Sequence, residues 1–236
     1  MNRDEWPLAE VAQLAIYKGT IWATWDAEAP PCLDYLDDAR LHLDLTLDGR
    51  DGSEGGSEVI AGVHKWIIPC NWKFPAENFL GETDHNISHQ SVDLIGIGPS
   101  AAQGERGRRD AELAQAEHLW VSFPGGHGVN SAMKPAEAKY QPTFRDDPVV
   151  ESYYRECYEQ RKATLGTEAA RLMPSVGTLF PNTSYHSGQP RALCVWHPHG
   201  PVTPRCGASS SSMRPHRPRS RTSCVVTTCG TRGQPG

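Results

Sequence analysis

Two histidines four residues apart, His85 and His89, stand beside the carboxylates Glu77, Glu82 and Asp84 in the stretch running from Pro69 to His89. On a helix that spacing stacks both imidazoles on one face, with Cβ atoms roughly 5–6 Å apart. Two such imidazoles can chelate one first-row metal. A carboxylate as third ligand would complete a face that leaves positions open for dioxygen and a substrate. Spacing alone is a weak signal, because histidines at i,i+4 are more often surface neighbours. The zinc-protease pattern HExxH fails here, since Asn86 occupies the glutamate position.

The neighbouring residues carry more. The segment NWKFPAENFLGETDHNISH resembles the iron-binding segment of the large (alpha) subunit of Rieske-type aromatic-ring-hydroxylating dioxygenases. The match holds at Asn71, Trp72, Lys73, Glu77, Asn78, Phe79, Gly81, His85 and His89. It extends through YKGTIWATWDAEAPP (17–31), HLWVSFPGGHG (118–128), GTLFPNTSYH (177–186) and CVWHPHGP (194–201), and so covers most of residues 1–203.

The resemblance implies a catalytic domain of the helix-grip, START-like type, with an apolar pocket beneath the iron helix. It implies mononuclear Fe(2+) held by His85, His89 and an aspartate, with Asn78 lining the site. In the family a carboxylate at the position of Glu82 bridges an iron ligand to a cluster-binding histidine of a neighbouring subunit. Electrons then pass from NAD(P)H through a reductase, ferredoxin and a Rieske [2Fe–2S] cluster, a small beta subunit completes the oligomer, and dioxygen is inserted into an aromatic substrate. Three departures stand out. Glu82 is a methylene longer than the family's aspartate, Asp84 replaces a tyrosine, and the gap between the histidines is a residue or two shorter than usual.

The chain has no CxH pair of the kind that holds a Rieske cluster, and Cys194-Val-Trp-His197 has CxxH spacing without a partner. No acidic residue follows Glu168, so the family's downstream aspartate has no counterpart. The expectation is the middle of an alpha subunit, inactive by itself. A START-like binder of hydrophobic ligands and a non-functional truncated gene product are the alternatives.

The length of 236 residues suffices for a domain with a sizeable core. Apolar residues make up 38% and charged residues 22%, as in globular chains, and no apolar run approaches a membrane span. The opening MNRDEWPLAEV has no apolar core of a secretory signal, which points to the cytoplasm and to seven reduced cysteines. Residues 1–201 stand at −11 and residues 202–236 carry six arginines and no acid. An acidic body argues against nucleic acid as a partner.

Several elements must position the motif. Residues 18–25, 59–69, 91–98, 118–123, 175–182 and 191–198 read as strands, and 148–165 as a helix with the apolar stripe Val150, Tyr153, Tyr154, Cys157 and Tyr158. Leu33 to Leu47 begins as a helix and drifts toward strand alternation. DGRDGSEGGSE (48–58) reads as a loop. Pro75 belongs in a first helical turn, which starts the motif helix near Phe74 and puts His85 and His89 on its third and fourth turns. Gly81 inside that helix suggests a close approach to its backbone. His64 reads as a packed or edge residue. His197 and His199 alternate on a strand and so cannot readily share a metal. GIGPSAAQG (96–104) lacks the ending of a phosphate loop. Strands mixed with helices, without βαβ rhythm, indicate an α+β fold with a largely antiparallel sheet.

Residues 204–236 lack acids, lysine, leucine, phenylalanine, tyrosine and tryptophan. Such a stretch buries too little apolar surface to offset its entropy, which predicts a disordered basic arm. A shifted reading frame explains it as well. With suitable codons the neighbouring frame reads VWRFFFVDA over Cys206–Arg214 and KDFLRRYYMRYS over Arg221–Arg232, both patterned like globular sequence.

Overall fold

A computed structural model of the chain describes residues 9–48, 57–59, 63–81, 117–136, 140, 147–172, 175–187, 191–198, 206–215 and 225–228. Strands β1 (Gln13–Tyr17) and β2 (Thr20–Thr24) form an antiparallel hairpin, with Tyr17 opposite Thr20. The two-residue turn between them has φ 45° at Lys18 and 79° at Gly19. Positive φ at both central residues matches the right-handed twist of a hairpin, but it is uncommon for a side chain such as lysine.

Helices α1 (Cys32–Leu36) and α2 (Ala39–Leu47) follow, separated at Asp37, where φ is 46°. Leu36, Ala39, Leu43 and Leu47 keep a helical period across that break and are all buried. The apparent strand alternation after Leu41 is therefore helical, because the 39/43/47 stripe meets the core while Leu41 stays exposed.

The main sheet has the strand order β3-β10-β9-β8-β7-β6-β5, with β4 also paired to β10. Its strands are β3 (Ser57–Val59), β4 (His64–Ile68), β5 (Glu117–Phe123), β6 (His127–Met133), β7 (Val176–Leu179), β8 (Thr183–His186), β9 (Arg191–Pro198) and β10 (Cys206–Pro215). All its pairings are antiparallel; the parallel pairing among the described residues joins β11 (Val225–Thr228) to β2. Expected strands 118–123 and 191–198 are present, the expected 175–182 strand is shorter, as β7 ends at Leu179 before a turn, the expected 59–69 strand is represented by Val59 in β3 and by β4 from His64, with 60–62 outside the described residues, and the expected 91–98 strand also lies outside them. The fold is the expected α+β class, largely antiparallel, with helices packed on the sheet.

The period of two along each strand sorts side chains between two cores. Val129, Leu179, Tyr185 and Leu193 face the side covered by Trp22, Leu36, Ala39, Leu43 and Leu47. Cys194 and Trp196 face the other side, where Ala76 of α3 (Lys73–Asn78) sits among Ile68, Cys70, Trp72 and Phe79. Gly177 lies directly under the buried ring of Tyr185, and a Cβ there would also come within 2.8 Å of the Gly128 carbonyl oxygen.

The long helix α4 (Pro148–Arg171) starts where its sequence demands. Asp147 Oδ1 accepts the backbone N–H groups of Val149 and Val150, both at 3.1 Å, and Pro148 supplies the first turn. Gly166, at φ 85°, interrupts it one residue past its expected end at 165.

Two expectations need correction. Residues 206–215 are not an arm without secondary structure: their backbone pairs with β9 over Cys206–Met213 and with β3 and β4. Backbone ladder bonds do not require apolar side chains, so composition could not reveal this strand. The motif helix, in addition, does not run continuously from Phe74 to His89, because α3 ends at Asn78.

Candidate functional site

Helix α3 is six residues long, so most of its carbonyls need partners from outside. A relay of side chains in the sheet supplies one. Trp196 Nε1–H donates to Ser184 Oγ at 2.8 Å, Ser184 and Thr178 hydroxyls meet at 2.7 Å, and Thr178 Oγ1–H donates to the Ala76 carbonyl at 2.6 Å. Because the Thr178 proton is committed to Ala76, the Ser184 hydroxyl must donate to Thr178. All three relay residues are buried. Their positions follow from register, since Thr178 pairs with Ser184 and Ser184 with Cys194.

Past Asn78 the chain turns. Leu80 N–H donates to the Glu77 carbonyl at 2.8 Å, a tight bond that closes the helix. The Asn130 side chain on β6 then donates to the Gly81 carbonyl. A helix continued through Gly81 would offer that carbonyl to the N–H of residue 85, so the Asn130 contact ties the segment just past α3 to the sheet instead. Gly81 is not needed for space: a Cβ there would meet its nearest atom, the Asn78 carbonyl oxygen, at 3.5 Å. The close approach occurs instead at Gly128, where a Cβ would press on Leu80 at 2.9 Å. Phe79 and Trp196 pack with ring centroids 5.9 Å apart, and Trp72 and Phe180 at 6.5 Å.

Of the residues expected at the site, Asn78 is the last of α3 and is exposed. Glu82, His85 and His89 lie outside the described residues, as does His199. His64 and His197 are exposed on β4 and β9, each opposite β10 and not beside each other. Among the described residues no three His, Cys, Asp or Glu side chains gather as a metal-holding group. The donor set in the sequence suits iron in type, with two imidazoles, but lacks a third ligand downstream; Glu82 and Asp84 are the neighbouring acids.

His127 went unnoticed in the sequence. It is 2% exposed, and its ring joins two distant segments. Nδ1 accepts the Phe180 N–H at 2.9 Å, which leaves Nε2–H to donate to the Tyr35 carbonyl at 2.7 Å. The neutral ring satisfies both partners; a protonated ring would set two donors against each other at Phe180. Burial depresses the His127 pKa, against smaller opposing effects of the Tyr35 bond and the Asp37 charge, and burial also depresses that of His42. Depressed folded values mean that the unfolded chain binds more protons as pH falls below the ordinary 6.5. The stability is present above 6.5 and is lost as pH drops toward the folded values. Melting temperature should therefore fall below about pH 6.5, less steeply in His127→Gln, which no longer carries that proton. An acid limb of unchanged slope in the variant would show that His127 does not contribute.

No family model matches the chain. Curated relatives do. The chain is 32% identical over 213 residues to biphenyl dioxygenase subunit alpha of Paraburkholderia xenovorans (strain LB400), covering 85% of this chain and 42% of the relative. It is 35% identical over 213 residues to a benzene 1,2-dioxygenase subunit alpha of Pseudomonas putida, covering 85% and 43%. Among solved structures, naphthalene 1,2-dioxygenase with indole in its active site aligns with a TM-score of 0.67 at 25% identity, over 91% of this chain and 46% of that one. The Rhodococcus sp. enzyme bound to indole aligns with a TM-score of 0.64 at 27% identity, over 91% and 47%. The chain thus spans about two fifths of the length of the curated relatives it matches.

Proposed function

This chain belongs with the alpha subunits of aromatic-ring dioxygenases, and from that kinship we propose that residues 1–203 are part of a catalytic domain that binds iron(II) and an aromatic hydrocarbon. Residues 204–236 are a second unit, a frame-shifted tail whose residues 206–215 join the sheet through backbone pairing. His85 and His89 donate the imidazoles. Asn78 lines the site at the end of α3, and Glu82 stands where a carboxylate links the site to a neighbouring subunit. When bound, the metal would supply the activation of dioxygen.

The chain's own residues supply position and dryness. The Trp196–Ser184–Thr178 relay holds α3 against the sheet, and Asn130 fixes where the segment leaves it, four residues before His85. Trp72, Phe79 and Trp196 keep water from that side of the sheet. The relatives are named for biphenyl, benzene, chlorobenzene and naphthalene, which favours an aromatic hydrocarbon as substrate. By the same kinship, ferredoxin, a reductase, a [2Fe–2S] cluster and a beta subunit serve the whole protein.

The observation that carries this reading is the motif from Asn71 to His89 within a match that covers 85% of the chain. Anaerobic calorimetry with iron(II) tests it. Weak one-to-one binding is expected, at least about tenfold weaker in His85→Ala and in His89→Ala, which is about 1.4 kcal/mol. Equal binding in all three proteins would remove the pair from the site.

A further inference from the structure

Strand β1 stands at one edge of the β1-β2-β11 sheet. The two-residue turn at Lys18 and Gly19 makes Tyr17–Thr20 a hydrogen-bonded pair, so the bonds to β2 alternate back through Ala15–Trp22 and Gln13–Thr24. The N–H and C=O groups of Leu14 and Ile16 therefore point away from β2. Among the described residues no strand pairs with them on that side. Their side chains are exposed as well, by 61% and 71%. They lie opposite Ala23 and Ile21 on the outer face of the hairpin, whereas Ala15, Tyr17 and Trp22 face the core.

Such an edge is a template for another strand, and proteins ordinarily blunt it with lysine, proline or a bulge. β1 has none of these. Its pairing to β2 is unbroken from Gln13 to Tyr17, and no residue from Val11 to Tyr17 is charged. Gln13 turns its amide to the carbonyls of Ala27 and Ala29, at 3.1 and 2.7 Å on the β2 side, and leaves the edge clear. The apolar pattern is its own complement. Reversed about Ala15, Leu14 falls opposite Ile16 and Ile16 opposite Leu14, with the aliphatic side chains of both strands on one face. Two copies of the chain repel through their net charge of −5, but this strand adds nothing to that repulsion. The antiparallel sense also keeps the two Glu10 carboxylates at opposite ends of the contact.

We propose that β1 joins two copies of this chain edge to edge, antiparallel about a two-fold axis at Ala15, with Leu14 of each copy hydrogen-bonded to Ile16 of the other. The two hairpins then form one sheet with a continuous apolar outer face. An isologous contact of this kind closes on itself and stops at the dimer. A strand of this length buries less than a standard interface of about 1,600 Å², so the dimer is weak, with a dissociation constant on the order of micromolar. The contact is independent of the iron reading, because none of its residues belongs to the segment from Asn71 to His89.

Sedimentation velocity of the full chain, from low to high micromolar concentration, tests this. The parent should pass from monomer to dimer. Ile16→Lys sets an ammonium against Leu14 of the other copy and should weaken the association at least about tenfold. Leu41→Lys alters another exposed residue, on α2, and should associate like the parent. Ile16 is exposed, so at low concentration its lysine variant should melt with the parent. Hydrogen exchange reads the register: the amides of Leu14 and Ile16 should slow at least about tenfold on dimerisation, while those of Ala15 and Tyr17, already bonded to β2, change little. A monomer at every concentration overturns the proposal and leaves the edge to a strand of another protein. Association that Ile16→Lys does not weaken overturns it too, as do open-ended aggregates in place of a dimer, or a dimer whose Leu14 and Ile16 amides stay unprotected.

Discussion

Alanine in place of Trp196 should lower the unfolding free energy by about 3–5 kcal/mol, the cost of emptying a buried aromatic site. The indole is 3% exposed and packs with Phe79, Ala76 and Cys194. Its N–H also begins the relay that ends on the Ala76 carbonyl, so the substitution both opens a cavity and loosens α3. Trp196→Phe separates the two effects. It keeps most of the apolar contact and removes the donor, for an expected loss of about 1 kcal/mol. Denaturant unfolding of both variants provides the measurement. A loss below about 1 kcal/mol in Trp196→Ala would mean that α3 is not held by this side chain. Hydrogen exchange at Phe79 and Leu80 should rise in the alanine variant before the rest of the sheet opens.

Lys18→Met should cost a comparable amount, about 3–5 kcal/mol, by leaving a buried carboxylate without its cation. The Lys18 ammonium reaches Asp48, whose side chain is 2% exposed, and lies 3.3 Å from Asp44 Oδ1. Tyr17 donates to the same Asp44 oxygen at 2.5 Å, so the hairpin turn is tied to the end of α2. This contact accounts for a lysine at φ 45°, where glycine or asparagine is the ordinary choice. The double variant Lys18→Met/Asp48→Leu should recover most of the loss, because replacing both members of a buried pair by apolar groups is close to neutral. Persistent destabilisation in the double variant would place the cost in the turn instead. Burial alone lowers the Lys18 pKa, but the Asp48 hydrogen bond and the Asp48 and Asp44 charges leave it raised above 10.5. The pair's contribution is therefore complete below pH 10.5 and is lost as pH climbs through the raised value.

The sequence by itself determined what depends on neighbours along the chain. Asp147, Pro148 and Gly166 set the start and the interruption of α4, because caps, a proline ring and a glycine act within one turn. The apolar run from Leu193 to Trp196 marked β9 as a strand, and all four of these residues are buried. The motif from Asn71 to His89 identified the kinship, since residue types at fixed spacing need no coordinates. Only the tertiary structure decided where the segment after α3 is held, because the Asn130 side chain that takes the Gly81 carbonyl comes from 49 residues away. It also decided that Leu41 to Leu47 is helix and not strand, through the core that receives Ala39, Leu43 and Leu47. The roles of Lys18 and His127 were hidden for the same reason. Lys18 reaches an aspartate 30 residues on, and His127 joins segments 92 and 53 residues from it. Such contacts arise from chain closure over long separations, and local periodicity carries no record of which distant partner will meet a side chain.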